Sequence, residues 1–193
     1  AAPSVSTQYP VYLTDEPIMA SFGGGPGNSK DWIGIYPDGV VSDGSIASTR
    51  WKYVDDTQAG NVAFLDGQVN LPGLSSAGDW KIYFKKNDGY ENMAESSLTV
   101  LDAGSPLVRT GRNHIPGAAF DVAFFSSSNA RDWIGIYKEG QVPAPGVNST
   151  IWNYTNGTQT GTVTIVEGSV RFASGLPEGN WVAHLLENDG YTS

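Results

Sequence analysis

The sequence predicts an all-β protein made of two tandem β-sandwich domains. The hexapeptide DWIGIY occurs at Asp31–Tyr36 and returns 101 positions later at Asp132–Tyr137. Turn formers and aromatic residues are abundant, with 24 Gly, 11 Pro, 6 Trp, 9 Tyr and 7 Phe, and no long window has helical periodicity. A period near 100 residues is too long for a solenoid repeat, and it fits two complete small domains.

The repeat keeps one register over nearly a whole unit. Its most distinctive residues are shared by both copies: Asp31, Trp32, Tyr36, Trp51, Asn87, Asp88 and Tyr90 in the first, and Asp132, Trp133, Tyr137, Trp152, Asn188, Asp189 and Tyr191 in the second. We therefore predict a first β-sandwich repeat at residues 1–101, a linker at 102–106 and a second repeat at 107–193.

The hexapeptide reads as a central strand with both faces covered. Because side chains alternate along a strand, Ile33 and Ile35 face one side, whereas Trp32, Gly34 and Tyr36 face the other. The glycine leaves a gap in the aromatic face that a neighbouring ring can enter. The repeated aromatic residues are interpreted mainly as core.

Each unit is predicted to hold about seven short strands, which is typical of an immunoglobulin-like or fibronectin-like sandwich without its Cys pair. VAFL and QVNL flank Asp66-Gly67, and TVTIV and SVRF flank Glu167-Gly168, so each unit is predicted to contain a hairpin there. The first unit ends in a strand, SLTVL, that has no counterpart before Ser193.

We therefore expect the second domain to lack its last strand in this chain. A sandwich without a terminal strand has an unpaired edge and an open groove in its core. Either the natural chain continues, or a protein partner or neighbouring copy supplies the strand by strand complementation.

Charge and composition exclude several partners. The net charge of −9 and the pI of about 4.5 argue against nucleic acid, because phosphate binding needs clustered Lys and Arg. No apolar run approaches the roughly 20 residues of a membrane span. The absence of Cys excludes disulfides, thiolate metal ligands and cysteine nucleophiles.

Two features favour a secreted, extracellular protein. The start Ala1-Ala2-Pro3-Ser4 resembles the small-residue end that signal-peptide removal leaves. Three N-x-[ST] sequons, at Asn148, Asn153 and Asn156, predict a glycoprotein if the chain passes through a eukaryotic secretory route.

No catalytic, cofactor or metal site is predicted. The chain has only two histidines, and its duplicated Asn-Asp pairs supply too few oxygen atoms for calcium. A structural interpretation is stronger: Asn and Asp close a tight turn, Gly89 and Gly190 adopt positive φ, and the following tyrosine hydroxyl ties the corner.

With DWIGIY, the W-x-Y strand and NDGY, each unit resembles the SKICH-like β-sandwich domain. It also resembles the repeats beside the catalytic domains of secreted metallophosphoesterases, and the likeness covers both units almost end to end. The resemblance implies a noncatalytic module, since the Asp, His and Asn metal-binding motifs of the phosphatase domain are not found here.

Three functions remain open. The first is a noncatalytic extracellular module for attachment, spacing or assembly within a larger secreted protein. The second is a structural subunit of an extracellular filament, completed by strand donation in trans. The third is a carbohydrate-binding module, because exposed Trp and Tyr rings stack on sugars; it ranks last because the repeated aromatics are interpreted as core.

Overall fold

A computed structural model describes residues 1–111 and 114–192. The chain divides into two compact units, Ala1–Ala103 and Gly104–Ser193. Every regular element in the described residues is a β-strand. In that part of the chain there is also no helix that could cross a membrane.

The first unit is an immunoglobulin-like sandwich of two sheets. Its strands are β1 (Ser4–Thr7), β2 (Val11–Leu13), β3 (Ile18–Gly23), β4 (Trp32–Pro37), β5 (Arg50–Tyr53), β6 (Gly67–Leu71), β7 (Gly78–Lys85) and β8 (Asn92–Leu101). One sheet has the order β1-β3-β6 and the other β2-β8-β7-β4-β5. Pairing is antiparallel except between β2 and β8, which are parallel.

The second unit repeats this plan. Its strands are β9 (Leu107–Arg109), β10 (Phe120–Phe125), β11 (Trp133–Lys138), β12 (Ile151–Tyr154), β13 (Gly168–Phe172) and β14 (Trp181–Leu186). The sheets have the orders β13-β10-β9 and β12-β11-β14. The prediction of an all-β chain with two immunoglobulin-like sandwiches is confirmed.

The Trp-to-Tyr part of the hexapeptide lies in β4 and β11, and each of these strands is paired on both sides within its sheet. Ile33 and Ile35 are fully buried in the core between the two sheets of the first unit, and Ile134 and Ile136 occupy the same place in the second. Trp32 and Tyr36 lie on the opposite face of the sheet. We call this second face the outer face.

The predicted hairpins at Asp66-Gly67 and Glu167-Gly168 are wrong. Only the second segment of each forms a strand, β6 or β13. Residues 61–66 and 162–167 form no strand, although the Leu65 and Val166 carbonyls accept the N–H groups of Gly25 (3.0 Å) and Ser127 (2.9 Å). In the first unit the Asp55 carboxylate accepts the backbone N–H groups of Asn61 (2.7 Å) and Val62 (3.2 Å). A side chain thus satisfies donors that a ladder would otherwise use.

The edge of β14 differs from the same edge in the first unit. There β7 pairs with both β4 and β8, but within the described residues β14 pairs with β11 alone. The inward side chains of β7, which are Trp80, Ile82 and Phe84, are buried. Their counterparts on β14, which are Trp181, Ala183 and Leu185, are only partly buried. The core of the second unit is therefore open along this edge.

Candidate functional site

The repeated aromatic residues form a cluster of their own on the outer face. Trp32, Tyr36, Tyr53 and Tyr83 are buried together, and Trp51 packs against them, apart from the core between the sheets. These residues are buried, as their interpretation as core expects, but they form a second cluster that is separate from the core between the sheets. Strand alternation assigns side chains to faces, but it does not say what covers each face.

A pocket opens in this cluster in each unit, and both pockets are lined by the same eight repeat positions. In the first-unit pocket these are Trp32, Tyr36, Ala47, Ser48, Trp51, Tyr53, Asp88 and Tyr90. In the second-unit pocket they are Trp133, Tyr137, Asn148, Ser149, Trp152, Tyr154, Asp189 and Tyr191. The cavity volumes are about 300 Å³ and about 890 Å³ respectively.

The walls of the pockets are rings that meet edge to face. Trp133 lies 6.0 Å from Trp152 at 79° and 6.1 Å from Tyr191 at 85°, between ring centroids. The first unit repeats this arrangement, with Trp32 lying 6.3 Å from Trp51 and 6.0 Å from Tyr90. Edge-to-face packing of this kind holds aromatic rings in fixed orientations.

A glycine makes this wall possible. A Cβ on Gly135 would lie 2.7 Å from Cζ3 of Trp133 and 2.8 Å from Cε2 of Tyr137. On Gly34 it would lie 2.6 Å from Cζ3 of Trp32 and 3.3 Å from Cε2 of Tyr36. The Trp ring of each strand therefore folds over the glycine two residues later. The gap expected in the aromatic face is filled by a ring of the same strand.

Each pocket also contains a buried tyrosine hydroxyl without a hydrogen bond. Tyr36 and Tyr137 are fully buried, and neither hydroxyl has a hydrogen-bond partner. Burial raises the pKa of both tyrosines, against the opposing influence of the nearby Ser48 and Ser149 hydroxyls, which do not reach good hydrogen-bond geometry. The same buried and unsatisfied hydroxyl therefore recurs at one repeat position in both units.

A carboxylate and a second tyrosine complete the lining. The Tyr53 hydroxyl donates to Asp88 Oδ1 at 2.5 Å, and Tyr154 donates to Asp189 Oδ1 at 2.6 Å. The hydrogen bond to Asp88 raises the pKa of Tyr53 to about 12. Asp189 also accepts from Arg131 at 2.7 Å, and these two hydrogen bonds lower its pKa.

The NDGY turn is fixed to the strand that begins with DWIGIY. Asp31 and Asp132 are buried and accept the backbone N–H groups of Asn87 and Asn188, both at 2.9 Å. The indole N–H groups of the two strand tryptophans donate to carbonyl oxygens in the same turns, at 3.0 and 3.1 Å. These contacts position the Asp and Tyr that follow in each pocket.

The expected mechanism of this turn is corrected in two respects. Asn87 and Asp88 themselves adopt positive φ, at 45° and 59°, and Asn188 and Asp189 do the same at 45° and 60°, instead of the glycines. Asn and Asp tolerate this region because their short side chains can hydrogen-bond locally. The hydroxyl that binds the turn belongs to the tyrosine of the W-x-Y strand.

The two units differ behind the aromatic rings. In the first unit Lys85 is fully buried on the outer face, and its ammonium donates to the Ser42 carbonyl (2.5 Å) and Asn92 Oδ1 (2.6 Å). It lies 5.2–5.6 Å from four ring centroids, including Trp32 and Tyr36. Burial lowers its pKa. Leu186 occupies this position in the second unit.

The three sequons lie in different surroundings. Asn148 is exposed and lines the second-unit pocket. Asn153 lies in β12 and is half-buried. The Asn156 side chain closes a turn, since its amide donates to the Thr160 carbonyl (2.9 Å) and its oxygen accepts the Thr158 N–H (3.0 Å).

Sequence reasoning missed the tyrosine–aspartate hydrogen bond and the two pocket serines. Tyr53 and Tyr154 share the repeat register, as do Ser48 and Ser149, and that identity was the available signal. Within residues 1–111 and 114–192, no three His, Asp or Glu side chains are grouped so that they could hold a metal ion.

The fold defines the class of protein as a pair of immunoglobulin-like β-sandwiches. No family model and no curated protein sequence matches the chain. Purple acid phosphatase PPD1 from yellow lupin (Lupinus luteus) seeds is similar at 11% identity and a TM-score of 0.43, over 72% of this chain and 28% of the phosphatase. The teleost fish polymeric Ig receptor ectodomain is similar at 11% identity and a TM-score of 0.36, over 96% and 97%. Neither likeness carries a functional argument.

Proposed function

We propose that this chain is a noncatalytic, extracellular attachment module of SKICH-like type that binds carbohydrate through its aromatic pockets. The observation that carries the proposal is the duplicated pocket, in which tryptophan and tyrosine rings surround a buried hydroxyl without a partner.

The chemistry of the pockets suits a sugar. Ring faces bind the apolar C–H faces of pyranose rings, and an amphipathic ligand of this kind also needs polar partners at fixed positions. The Tyr137 hydroxyl, Ser149 and Asp189 supply such partners in the second unit, next to Trp133 and Trp152. The polar groups and the rings therefore recognise different parts of one molecule.

The lining residues favour binding over catalysis. The single carboxylate in each pocket already accepts a tyrosine hydroxyl, and no histidine lines either pocket. The pocket serines consequently have no base within the lining that could activate them as nucleophiles.

Removal of the buried hydroxyls tests the proposal. The unglycosylated chain, made in bacteria, is screened against an array of oligosaccharides, and the best ligand is titrated by calorimetry. We expect Y36F/Y137F to weaken binding about tenfold, because about 1.4 kcal/mol of hydrogen bonding is lost. The variant keeps its fold, since neither hydroxyl has a partner in the free protein.

The matched control is Y12F. Tyr12 is also buried, but it lies outside both pockets and its hydroxyl accepts the Tyr9 N–H at 3.1 Å. This change lowers stability and leaves affinity unchanged. Carbohydrate binding would be contradicted if the chain bound no oligosaccharide on the array, or if Y36F/Y137F and the parent chain had equal affinity.

The open edge of β14 favours a second function, assembly by strand addition. We propose that a strand from a neighbouring copy pairs with β14, as β8 pairs with β7, and covers Trp181, Ala183 and Leu185. The segment Ser4–Thr7 is already paired with β3 in its own unit, so the donor is a different segment.

Solution mass and hydrogen exchange test strand addition together. We expect concentration-dependent polymers in which the β14 amides exchange at least tenfold more slowly than in dilute protein, because new ladder bonds protect them. The Asn180 carbonyl accepts the Glu139 N–H on the β11 side, so alternation places the Ala183 N–H on the open edge of β14, and A183P removes that donor. The control is N70P, which removes a β6 N–H that donates to Asp56 Oδ1 (2.8 Å). A monomer at all concentrations, with unprotected β14 amides, would exclude assembly by this edge.

A further inference from the structure

The two pockets differ at a single lining position out of the eight that they share. Ala47 in the first unit is replaced by Asn148 in the second, while the flanking Ser and Thr are the same. This one change turns Ala47-Ser48-Thr49 into the sequon Asn148-Ser149-Thr150. A glycosylation signal therefore lies in the lining of one pocket and is absent from the other.

We infer that Asn148 carries an N-linked glycan and that the first sugars of this glycan lie in the second-unit pocket. The inference rests on the proposed function and deepens it, because it names the sugar that this pocket holds. The ligand class is an N-acetylglucosamine-based glycan, attached to the residue that lines its own binding site.

Asn148 is the sequon best placed for modification. Its side chain is exposed and makes no hydrogen bond with the described residues. The Asn156 side chain instead stabilises a turn by accepting the Thr158 N–H. Its counterpart Asp55 has the same role, since it accepts the Thr57 hydroxyl at 2.7 Å and nearby backbone N–H groups. Asn153 also lines the second-unit pocket, but it is half-buried in β12, whereas Asn148 is exposed.

The attachment reaction needs a donor from the secretory route. The Asn148 Nδ2 atom forms a bond to the anomeric carbon of N-acetylglucosamine and loses one proton. The bond from that carbon to the diphosphate of a lipid-linked oligosaccharide breaks, and the lipid diphosphate leaves. The attached sugar then begins at the pocket itself, so docking loses little freedom and its effective concentration is high.

The second-unit pocket has the size for this occupant. Its volume of about 890 Å³ lies within the range for small-ligand sites, whereas the first-unit pocket of about 300 Å³ lies at the lower end. It also extends past the edge strand β12 to Arg171 and Phe172 at the end of β13. Sugars beyond the first can follow this extension.

The test uses the full chain secreted from eukaryotic cells. Intact and peptide mass spectrometry measure occupancy of Asn148, and an endoglycosidase that cleaves within the chitobiose core is applied without denaturant. A63T creates the sequon Asn61-Val62-Thr in an exposed segment outside both pockets and provides a reference glycan on the same molecule.

We expect the Asn148 glycan to be cleaved at least tenfold more slowly than the reference glycan. The difference disappears after denaturation and shrinks in W152A, which removes one wall of the pocket. Y137F is the milder variant if W152A does not fold. Absence of a glycan at Asn148, or equal cleavage rates in the native protein, would overturn the inference.

A binding measurement separates this inference from the proposed function. The probe is N,N′-diacetylchitobiose. We expect N148Q to bind this probe in the second-unit pocket, and we expect the glycosylated chain not to bind it there, because its own glycan occupies the pocket. Binding at that pocket by both forms overturns the docked glycan and leaves carbohydrate binding intact. If neither N148Q nor the bacterial chain binds any sugar, carbohydrate binding fails as well.

Discussion

Replacement of Asp132 with alanine is expected to destabilise the second unit by about 3 kcal/mol, because several buried donors lose their acceptor at once. The carboxylate accepts the Ser127 hydroxyl (2.9 Å) and the N–H groups of Ser128 (2.7 Å), Asn129 (2.9 Å) and Asn188 (2.9 Å). The change therefore releases both the loop before β11 and the NDGY turn.

The effect of D132A depends on pH. Burial opposes ionisation of Asp132, but its hydrogen bonds outweigh burial and lower its pKa below the usual value. A lowered pKa adds stability above the unfolded-state pKa of about 4, and this stability is lost as pH falls through the folded-state value. The difference between parent and variant is thus largest at neutral pH and shrinks below about pH 4.

Denaturant unfolding with peptide-resolved hydrogen exchange measures this loss and assigns it to a unit. D121A is the matched control, because Asp121 is an exposed carboxylate on β10 that, among the described residues, forms a surface ion pair with Arg171. Such a change alters stability by less than about 0.5 kcal/mol. Equal effects of D132A and D121A would show that the buried network contributes little.

Replacement of Gly135 with alanine is expected to destabilise the second unit by about 2 kcal/mol and to abolish ligand binding there. The added methyl group meets the rings of Trp133 and Tyr137 below 3 Å, so both must move. Those rings are pocket walls. The measurement combines unfolding with calorimetric titration of the sugar selected on the array.

I134V separates loss of fold from loss of the pocket. Ile134 is the neighbouring residue of β11, but it faces the core between the sheets. Removal of one methyl group costs about 1 kcal/mol and leaves the outer face unchanged. Similar losses of affinity in I134V and G135A would contradict a specific role for the glycine.

The fold was predictable because its signals are periodic. Alternation in DWIGIY assigns Ile33 and Ile35 to one face and Trp32 and Tyr36 to the other, and both strands have this arrangement. The repeat register then transfers every assignment to the second unit. The two hairpins were wrongly predicted from runs of apolar residues. Such a run does not show that, in the first unit, the Asp55 carboxylate accepts backbone N–H groups of the segment in place of a partner strand.

The site was only half predictable. The sequence named most of its residues, but it could not show that Trp51 and Tyr90 converge with Asp88 on the outer face. That convergence depends on the pairing of β4 with β5 and on a turn with two residues at positive φ. The unpaired tyrosine hydroxyls are a property of packing and leave no mark in the sequence.

The internal repeat allows the two copies to be compared position by position. The inward side chains of β7 and β14 have diverged, as Ile82 against Ala183 and Phe84 against Leu185, although both pairs still face a sandwich core. The pocket lining has changed at one position in eight. Elsewhere on the outer face Tyr83 is replaced by His184 and Lys85 by Leu186, so the near-identity of the two copies belongs to the pocket lining and not to the whole face. The one exception in that lining is the asparagine that creates a sequon.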